Sequence, residues 1–184
     1  MPILGTVASQ FSGKAFGSFE SIATVAADSN GLSDINFNTI PATYAHLQLR
    51  MNLFNSSGTN AFVTFNGDTT TNYWQHGIES YGGGSTSVYG GGNQYAGFVG
   101  NLVLSNTYPG VSILDIFDYQ NTSIRKVIKG SYGTNMNLAA PGYSRNFYSD
   151  ATWGNTSAIT SINIQCQTGV FSQYSTISLY GIKG

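Results

Sequence analysis

The chain of 184 residues carries 7 Lys and Arg and 8 Asp and Glu, which leaves a formal net charge of −1 at pH 7. Charged residues amount to 8% of the chain, against about 25% in an average soluble domain. This composition excludes binding of nucleic acid through a basic surface. With 41% hydrophobic and 14% aromatic residues, it also excludes a disordered chain.

The cysteine count and the hydropathy pattern exclude further classes of protein. The single cysteine, Cys166, excludes a disulfide framework within the chain and a cysteine-rich zinc site. No window approaches the roughly 18 consecutive apolar residues of a membrane span. Residues 1–19 lack the basic start and the continuous apolar run of a signal peptide. The expectation is a soluble protein that is made in a cytoplasm and is not inserted into a membrane.

Alternation with a period of two predicts most of the secondary structure. Within residues 44–54, Leu47, Leu49, Met51 and Leu53 fall on one face of a strand, and polar residues fall on the other. Similar runs are predicted at residues 21–25, 34–40, 61–66, 73–78, 98–104, 111–119, 124–129, 158–166 and 176–182.

Turn residues separate these runs. The Asn-Gly pairs at residues 30–31 and 66–67 offer the positive φ that tight turns require. Pro41 ends another run, because proline cannot donate to a strand ladder. Together, the runs and turns predict an all-β fold, a single antiparallel, jelly-roll-like β-sandwich over residues 18–184.

Three stretches do not fit a ladder of strands. Residues 81–97, with a repeated Tyr-Gly-Gly-Gly, and residues 133–154 are predicted to be long functional loops. Residues 1–17 precede the first strand, and they are predicted to form an N-terminal arm that packs on a neighbouring subunit. The apolar side chains available for this packing are Ile3, Leu4, Val7, Phe11 and Phe16.

Catalytic chemistry has few candidates in this sequence. The histidines His46 and His76 both lie in strand patterns, where a polar or aromatic surface role is the better interpretation. Asp115 and Asp118 are three residues apart on one strand, so they face opposite ways and do not form the carboxylate pair of a glycosidase. Asp68 is interpreted as a turn residue rather than a calcium ligand. We expect no enzymatic activity, no catalytic residue, no cofactor and no metal.

A basic group lies near the middle of the chain. By alternation, Arg125 and Lys129 share one face of a strand, and Lys126 takes the other face. This pattern is interpreted as an edge strand whose charges protect it against aggregation.

The composition of residues 81–97 is typical of a recognition surface. Tyrosine supplies rigid contact area, and Ser, Gly and Asn supply adaptable hydrogen bonds. In one interpretation, the sugars of a glycan stack on the aromatic rings. In the other, which we favour, the rings pack against a neighbouring copy of the chain or lie over the end of the sandwich. The predicted contact residues are Trp74, Tyr81, Tyr89, Tyr95, Tyr143 and Trp153.

Six segments, in order along nearly the whole chain, carry a resemblance to a known group of proteins. They are MPILGTVASQFSG, FESIATVAADSNGLSDINFNTIPATYAHLQLR, FNGDTTTNYWQH, ILDIFDYQNTSIRKVIKG, NTSAITSINI and the terminal GVFSQYSTISLYGIKG, whose ending LYGIKG is the most specific piece. The chain resembles small virion structural proteins of tailed bacteriophages, which are widespread among phages of aquatic bacteria.

The resemblance implies a structural protein of the virion, a tail-fibre or tail-tip subunit, assembled in the cytoplasm of the host bacterium. It implies a homotrimer, whose partners are copies of itself and other proteins of the tail or capsid. In this arrangement residues 1–17 anchor the subunit, and the stretches 81–97 and 133–154 face outward, towards the host surface. It transfers no catalytic or binding residues. A capsid-decoration (cement) protein and a glycan-binding module stay open as alternatives.

Overall fold

The computed structural model consists of strands and the turns between them wherever it describes the chain. It describes residues 19–55, 57, 60–82, 84–94, 97–101, 109–134 and 144–184. The strands within these ranges are β1 (Phe19–Ala26), β2 (Asp34–Phe37), β3 (His46–Leu53), β4 (Asn60–Phe65), β5 (Tyr73–Tyr81), β6 (Ser85–Gln94), β7 (Gly97–Asn101), β8 (Gly110–Ile116), β9 (Lys126–Thr134), β10 (Arg145–Trp153), β11 (Ile162–Cys166) and β12 (Thr176–Ile182). Across these ranges, no helix is long and apolar enough to cross a membrane. The predicted arm at residues 1–17 lies outside them.

The strands are arranged in two sheets. The larger sheet has eight strands in the order β1-β12-β3-β8-β9-β10-β5-β6, and the smaller has four in the order β2-β11-β4-β7. All paired neighbours run antiparallel. Buried apolar side chains from both sheets form one cluster, as in two sheets packed face to face. The predicted all-β antiparallel sandwich is therefore confirmed.

Side-chain alternation explains why these residues form these strands. In β3, the four apolar residues predicted to share a face are at most 3% exposed, and the polar residues between them face the other way. Each predicted run overlaps a strand of the structure. The predicted turns are confirmed too, because Gly31, Asn66 and Gly67 have φ of 73°, 53° and 69°.

The prediction of a loop over residues 81–97 is wrong, because β6 crosses most of this stretch and pairs with β5. The error has a physical cause in the glycines. A Cβ added to Gly90 would lie 2.9 Å from Cδ2 of His76, and one added to Gly92 would lie 3.3 Å from Cδ1 of Trp74. Rings on β5 thus cover the glycine backbone of β6 and take the place of its missing side chains.

The prediction of a loop over residues 133–154 is also wrong in part. Strand β9 continues to Thr134, and β10 fills the central place between β9 and β5. In β10, Phe147, Ala151 and Trp153 point into the core, whereas polar residues and a tyrosine lie between them. The polar residues hid the alternation in the sequence. Residues 135–143 lie outside the described residues.

The prediction of an edge strand near Lys126 is wrong as well, because β9 pairs with β8 on one side and with β10 on the other. The predicted division between the faces is confirmed, since Lys126 is 0% exposed and Lys129 is exposed. The ammonium of Lys126 donates to the carbonyl oxygens of Asn121, Ile124 and Thr156. It therefore ties the turn before β9 to the segment after β10 instead of guarding an edge.

Asp68 holds the corner between β4 and β5, as predicted for a turn residue. Its carboxylate accepts hydrogen bonds from the Thr70 amide at 3.0 Å, from Asn72 Nδ2 at 3.0 Å and from Trp153 Nε1 at 2.8 Å. Burial opposes ionisation, but the donors from Thr70, Asn72 and Trp153 outweigh it and lower the pKa of Asp68 to about 2. The ionised carboxylate therefore fastens this corner to the core end of β10.

We predict that Asp68→Asn lowers the free energy of unfolding by about 1–2 kcal/mol at neutral pH. The folded pKa of Asp68 lies below the value of about 3.9 for an unfolded aspartate. The ionised group therefore stabilises the fold above about pH 4, and this contribution is lost as the pH falls towards 2. Urea unfolding at neutral pH and near pH 2 measures the difference, which should shrink on acidification.

The matched control is Asp28→Asn, since Asp28 is exposed and its carboxylate accepts one turn hydrogen bond, from the amide of Asn30 at 2.8 Å. We expect this control to change stability by less than about 0.5 kcal/mol. Equal losses in the two variants, or a loss for Asp68→Asn that does not depend on pH, would contradict the role assigned to Asp68.

Candidate interaction surface

One side of the eight-stranded sheet faces away from the four-stranded sheet, and we call this side the outer face. Its members alternate with core residues along each strand, as the burial patterns of β3, β8, β9 and β10 show. Several large hydrophobic side chains on this face are exposed. They include Ile78, Val88, Val111, Ile113, Val127 and Tyr148.

The strand register arranges the outer face in rows that run across the strands. One row, which we call the apolar row, passes from β8 to β6. It contains Ile113, Ser131, Tyr148, Ile78 and Val88. The exposed fractions of its large members are 44% for Ile113, 68% for Tyr148, 54% for Ile78 and 85% for Val88. Exposed apolar side chains that lie close together often belong to interaction surfaces, which makes this row a candidate for one.

The neighbouring row carries charge. Asp115 on β8 pairs in register with Lys129 on β9, Lys129 with Asp150 on β10, and Asp150 with His76 on β5. We call these four residues the charged row. Asp115 accepts a hydrogen bond from Nε2 of Gln48 at 2.6 Å. In the described part of the chain, no ion pair within 4.0 Å involves a member of this row.

A third row, the aromatic row, lies beyond the charged row. It begins at Phe117, whose amide donates to the carbonyl of Val127 at 3.1 Å. It continues in register from Val127 to Thr152 and then to Trp74. The ring of Trp74 lies against Gly92 and Gly154, and the guanidinium of Arg125 lies 5.7 Å from its centroid. Alternating apolar and charged rows thus cover the middle of the outer face.

A shallow depression lies in the middle of this surface. Strand β9 contributes the small residue Ser131 there, whereas the flanking strands contribute the larger Ile113 and Tyr148. The depression has a volume of about 260 Å³, and Asp115 and Lys129 also line it. It combines an exposed tyrosine ring, an aliphatic wall and one charge of each sign. A side chain from a partner can enter it, and both charges are within reach of that partner.

Three of the contact residues predicted from the sequence have described side chains, and they occupy different parts of the fold. Trp74 lies on the outer face, half-buried. Tyr89 lies in β6 and makes an edge-on contact with Phe147, with centroids 6.4 Å apart. Trp153 is 1% exposed and packs in the core, so the prediction that it contacts a ligand or partner is wrong. Its indole instead fills the space beside Phe65, with ring centroids 5.6 Å apart.

Of the other predicted contact residues, only Tyr81 lies within the described part of the chain. The backbone of Tyr81 ends β5. Tyr95, Tyr143 and the five apolar residues of the arm lie outside the described residues; the arm residues are Ile3, Leu4, Val7, Phe11 and Phe16.

The histidines occupy separate positions. Nδ1 of His46 accepts a hydrogen bond from the amide of Asp118 at 3.0 Å, and its ring packs on Phe117. His76 is exposed on the outer face beside Gly90. Among the described residues, no group of three or more His, Cys, Asp and Glu side chains is placed to hold a metal ion.

Sequence reasoning missed Tyr148, which is the most prominent ring on the outer face. The signal was the alternation of Phe147, Ala151 and Trp153 with more polar residues, which places Tyr148 and Asp150 on the opposite face. Lys129 was placed on the correct face, but its two neighbours of opposite charge became visible only with the strand order.

No protein-family model matches the chain, and no curated protein matches its sequence.

We predict that Tyr148→Ala changes the unfolding free energy of the dilute protein by less than about 0.5 kcal/mol, because its side chain is mostly in solvent. The adjacent Phe147→Ala is the matched comparison, and it should cost about 3–5 kcal/mol, because Phe147 is 4% exposed. Urea unfolding at high dilution measures both. Similar costs for the two variants would show that Tyr148 is part of the monomer core, which would contradict the outer face defined above.

Proposed function

We propose that this chain is a non-enzymatic structural protein of a tailed-phage virion. The proposed role is a small tail-fibre or tail-tip subunit that assembles with copies of itself, with a homotrimer as the expected assembly. The observation that supports self-assembly is the outer face, where apolar side chains exposed by 44–85% are interleaved with charged ones. The resemblance over six segments of the chain supports the virion as the place of that assembly.

The side chains of the outer face suit a protein whose role is to form contacts with other protein subunits. Protein interfaces resemble the rest of the surface in their overall polarity, but their centres are enriched in aromatic and large apolar residues. Tyr148, Ile78 and Ile113 supply such a centre on the outer face. Because apolar contacts are not screened by salt, an assembly held mainly by this apolar centre should depend little on salt.

A capsid-decoration protein remains the second candidate. The same outer face favours it equally, because a cement protein also works by packing against copies of itself and against a shell. The two roles differ in where the particle holds the subunit, and imaging of the particle distinguishes them.

We predict that this chain co-purifies with intact tailed-phage particles in a fixed ratio to the other virion proteins, since a structural subunit is built in during assembly. Quantitative mass spectrometry of gradient-purified particles measures the ratio. Cryo-electron microscopy then locates the subunit on the tail, as proposed, or on the capsid lattice. Washing the particles in about 0.5 M salt should leave the chain bound, because apolar contacts are not screened.

The proposal would be overturned by particles that lack the chain while the infected cells contain it. Release of the chain at about 0.5 M salt would contradict the apolar attachment but not the presence in the virion.

A further inference from the structure

We propose that the outer face binds the outer face of a second copy of this chain, about a two-fold axis that runs parallel to the strands between β9 and β10. This inference rests on the self-assembly part of the proposed function and not on the virion. The rows of the outer face and the symmetry of a contact between two identical surfaces determine which residues meet.

A two-fold axis between two neighbouring strands places each strand opposite the strand that lies equally far on the other side of the axis in the second copy. With the axis between β9 and β10, β9 lies over β10 of the second copy, and β8 lies over β5 of the second copy. Because the axis is parallel to the strands, every row faces the same row of the other copy. Two sheets that pack face to face keep their strands within about 30° of each other, so the rows stay close near the axis.

The charged row is self-complementary about this axis. Lys129 faces Asp150 of the second copy, and Asp115 faces His76 of the second copy. The symmetry repeats both contacts, so each dimer gains the Lys129–Asp150 pair twice. In the described part of the isolated chain, neither Lys129 nor Asp150 forms an ion pair within 4.0 Å. The second copy therefore supplies each of these charges with a partner of opposite sign.

The apolar row is complementary in shape as well as in chemistry. Tyr148 faces Ser131 of the second copy, where the small side chain leaves the depression of about 260 Å³. Ile113 faces Ile78 of the second copy, so two exposed aliphatic side chains cover each other. In each case the contact removes apolar surface from water, which favours association.

The aromatic row follows the same symmetry. Phe117 faces Trp74 of the second copy, and Val127 faces Thr152 of the second copy. About one line, the apolar row thus joins Ile113 to Ile78, the charged row joins Lys129 to Asp150, and the aromatic row joins Phe117 to Trp74. Val88, at the end of the apolar row, faces Arg50 of the second copy.

Another position of the axis gives a poorer match. An axis between β8 and β9 would place Ile78 opposite Ser178 of the second copy, because β12 would then lie over β5. Ile78 would then meet a hydroxyl instead of an aliphatic side chain. The charged row does not decide between the two axes, because Asp115 would meet Lys129 of the second copy about the axis between β8 and β9. The axis between β9 and β10 is preferred because it joins Ile78 to Ile113 and Phe117 to Trp74.

The charge pattern favours a second copy of this chain as the binding partner of the outer face. A single strip that carries negative, positive, negative and histidine side chains in order is complementary to itself after rotation about its middle. A two-fold contact also fits a threefold assembly, where it would link one trimer to another.

The experiment uses charge reversal in the full chain, measured by sedimentation equilibrium. Lys129→Asp and Asp150→Lys each place like charges opposite each other in a dimer of that variant. We expect each variant alone to associate at least about tenfold more weakly than the unmodified chain. In an equimolar mixture, each symmetry-related pair of the mixed dimer again joins opposite charges, so association should return. Asp28→Lys, an exposed turn substitution, is the control and should associate normally.

Rescue in the mixture separates this pairing from a loss of folding, because a misfolded variant would not be rescued by another. The proposal would be overturned by an unmodified chain that is monomeric at high concentration, or by association that neither variant weakens. A monomeric chain that binds host polysaccharide and loses binding in Tyr148→Ala would assign the outer face to a glycan instead. A monomeric chain would also contradict the self-assembly in the proposed function, whereas loss of the charge dependence alone would overturn only the two-fold pairing. None of these results bears on whether the chain occurs in virions, which the particle analysis tests separately.

Discussion

The structure depends on one constraint, which is that one face of the eight-stranded sheet packs against the four-stranded sheet within the described part of the chain. The four-stranded sheet and the shared core bury one face, and side-chain alternation then forces every second residue of each strand outward. Shifting one strand by a single residue would exchange its core and surface side chains, so the core fixes the register. Because the register is fixed, the outer residues stand in defined rows. The rows are therefore a consequence of the core, although none of their residues belongs to it.

Local patterns predicted the fold well but predicted its surface poorly. The alternation in β3 and the Asn-Gly turns indicated an antiparallel sandwich, and the structure confirms it. Strand β6 was missed because Gly90 and Gly92 have no side chains of their own, and their covering rings belong to β5. Lys126 was assigned to an edge because strand order is not encoded in local patterns. The charged row was invisible for the same reason, since its members come from β8, β9, β10 and β5.

The buried polar groups stabilise the fold within the chain, whereas the outer face presents side chains to solvent. Asp68 and Lys126 satisfy backbone and side-chain partners within the chain, so they hold turns against the core. The outer face keeps several large exposed hydrophobic side chains close together, as interaction surfaces often do. Both features fit the proposed structural role, which would use rigid corners and a surface whose contacts are completed by other copies of the chain.

Chemical cross-linking across the proposed axis tests this account most directly. Ile113→Cys and Ile78→Cys chains are mixed and treated with a short bismaleimide, since stacked sheets lie about 10 Å apart. The account predicts a cross-linked dimer in the mixture and little in either variant alone or in the unmodified chain, whose single cysteine is Cys166. Equal cross-linking of each variant with itself, or none in a mixture shown to be dimeric, would contradict the two-fold pairing.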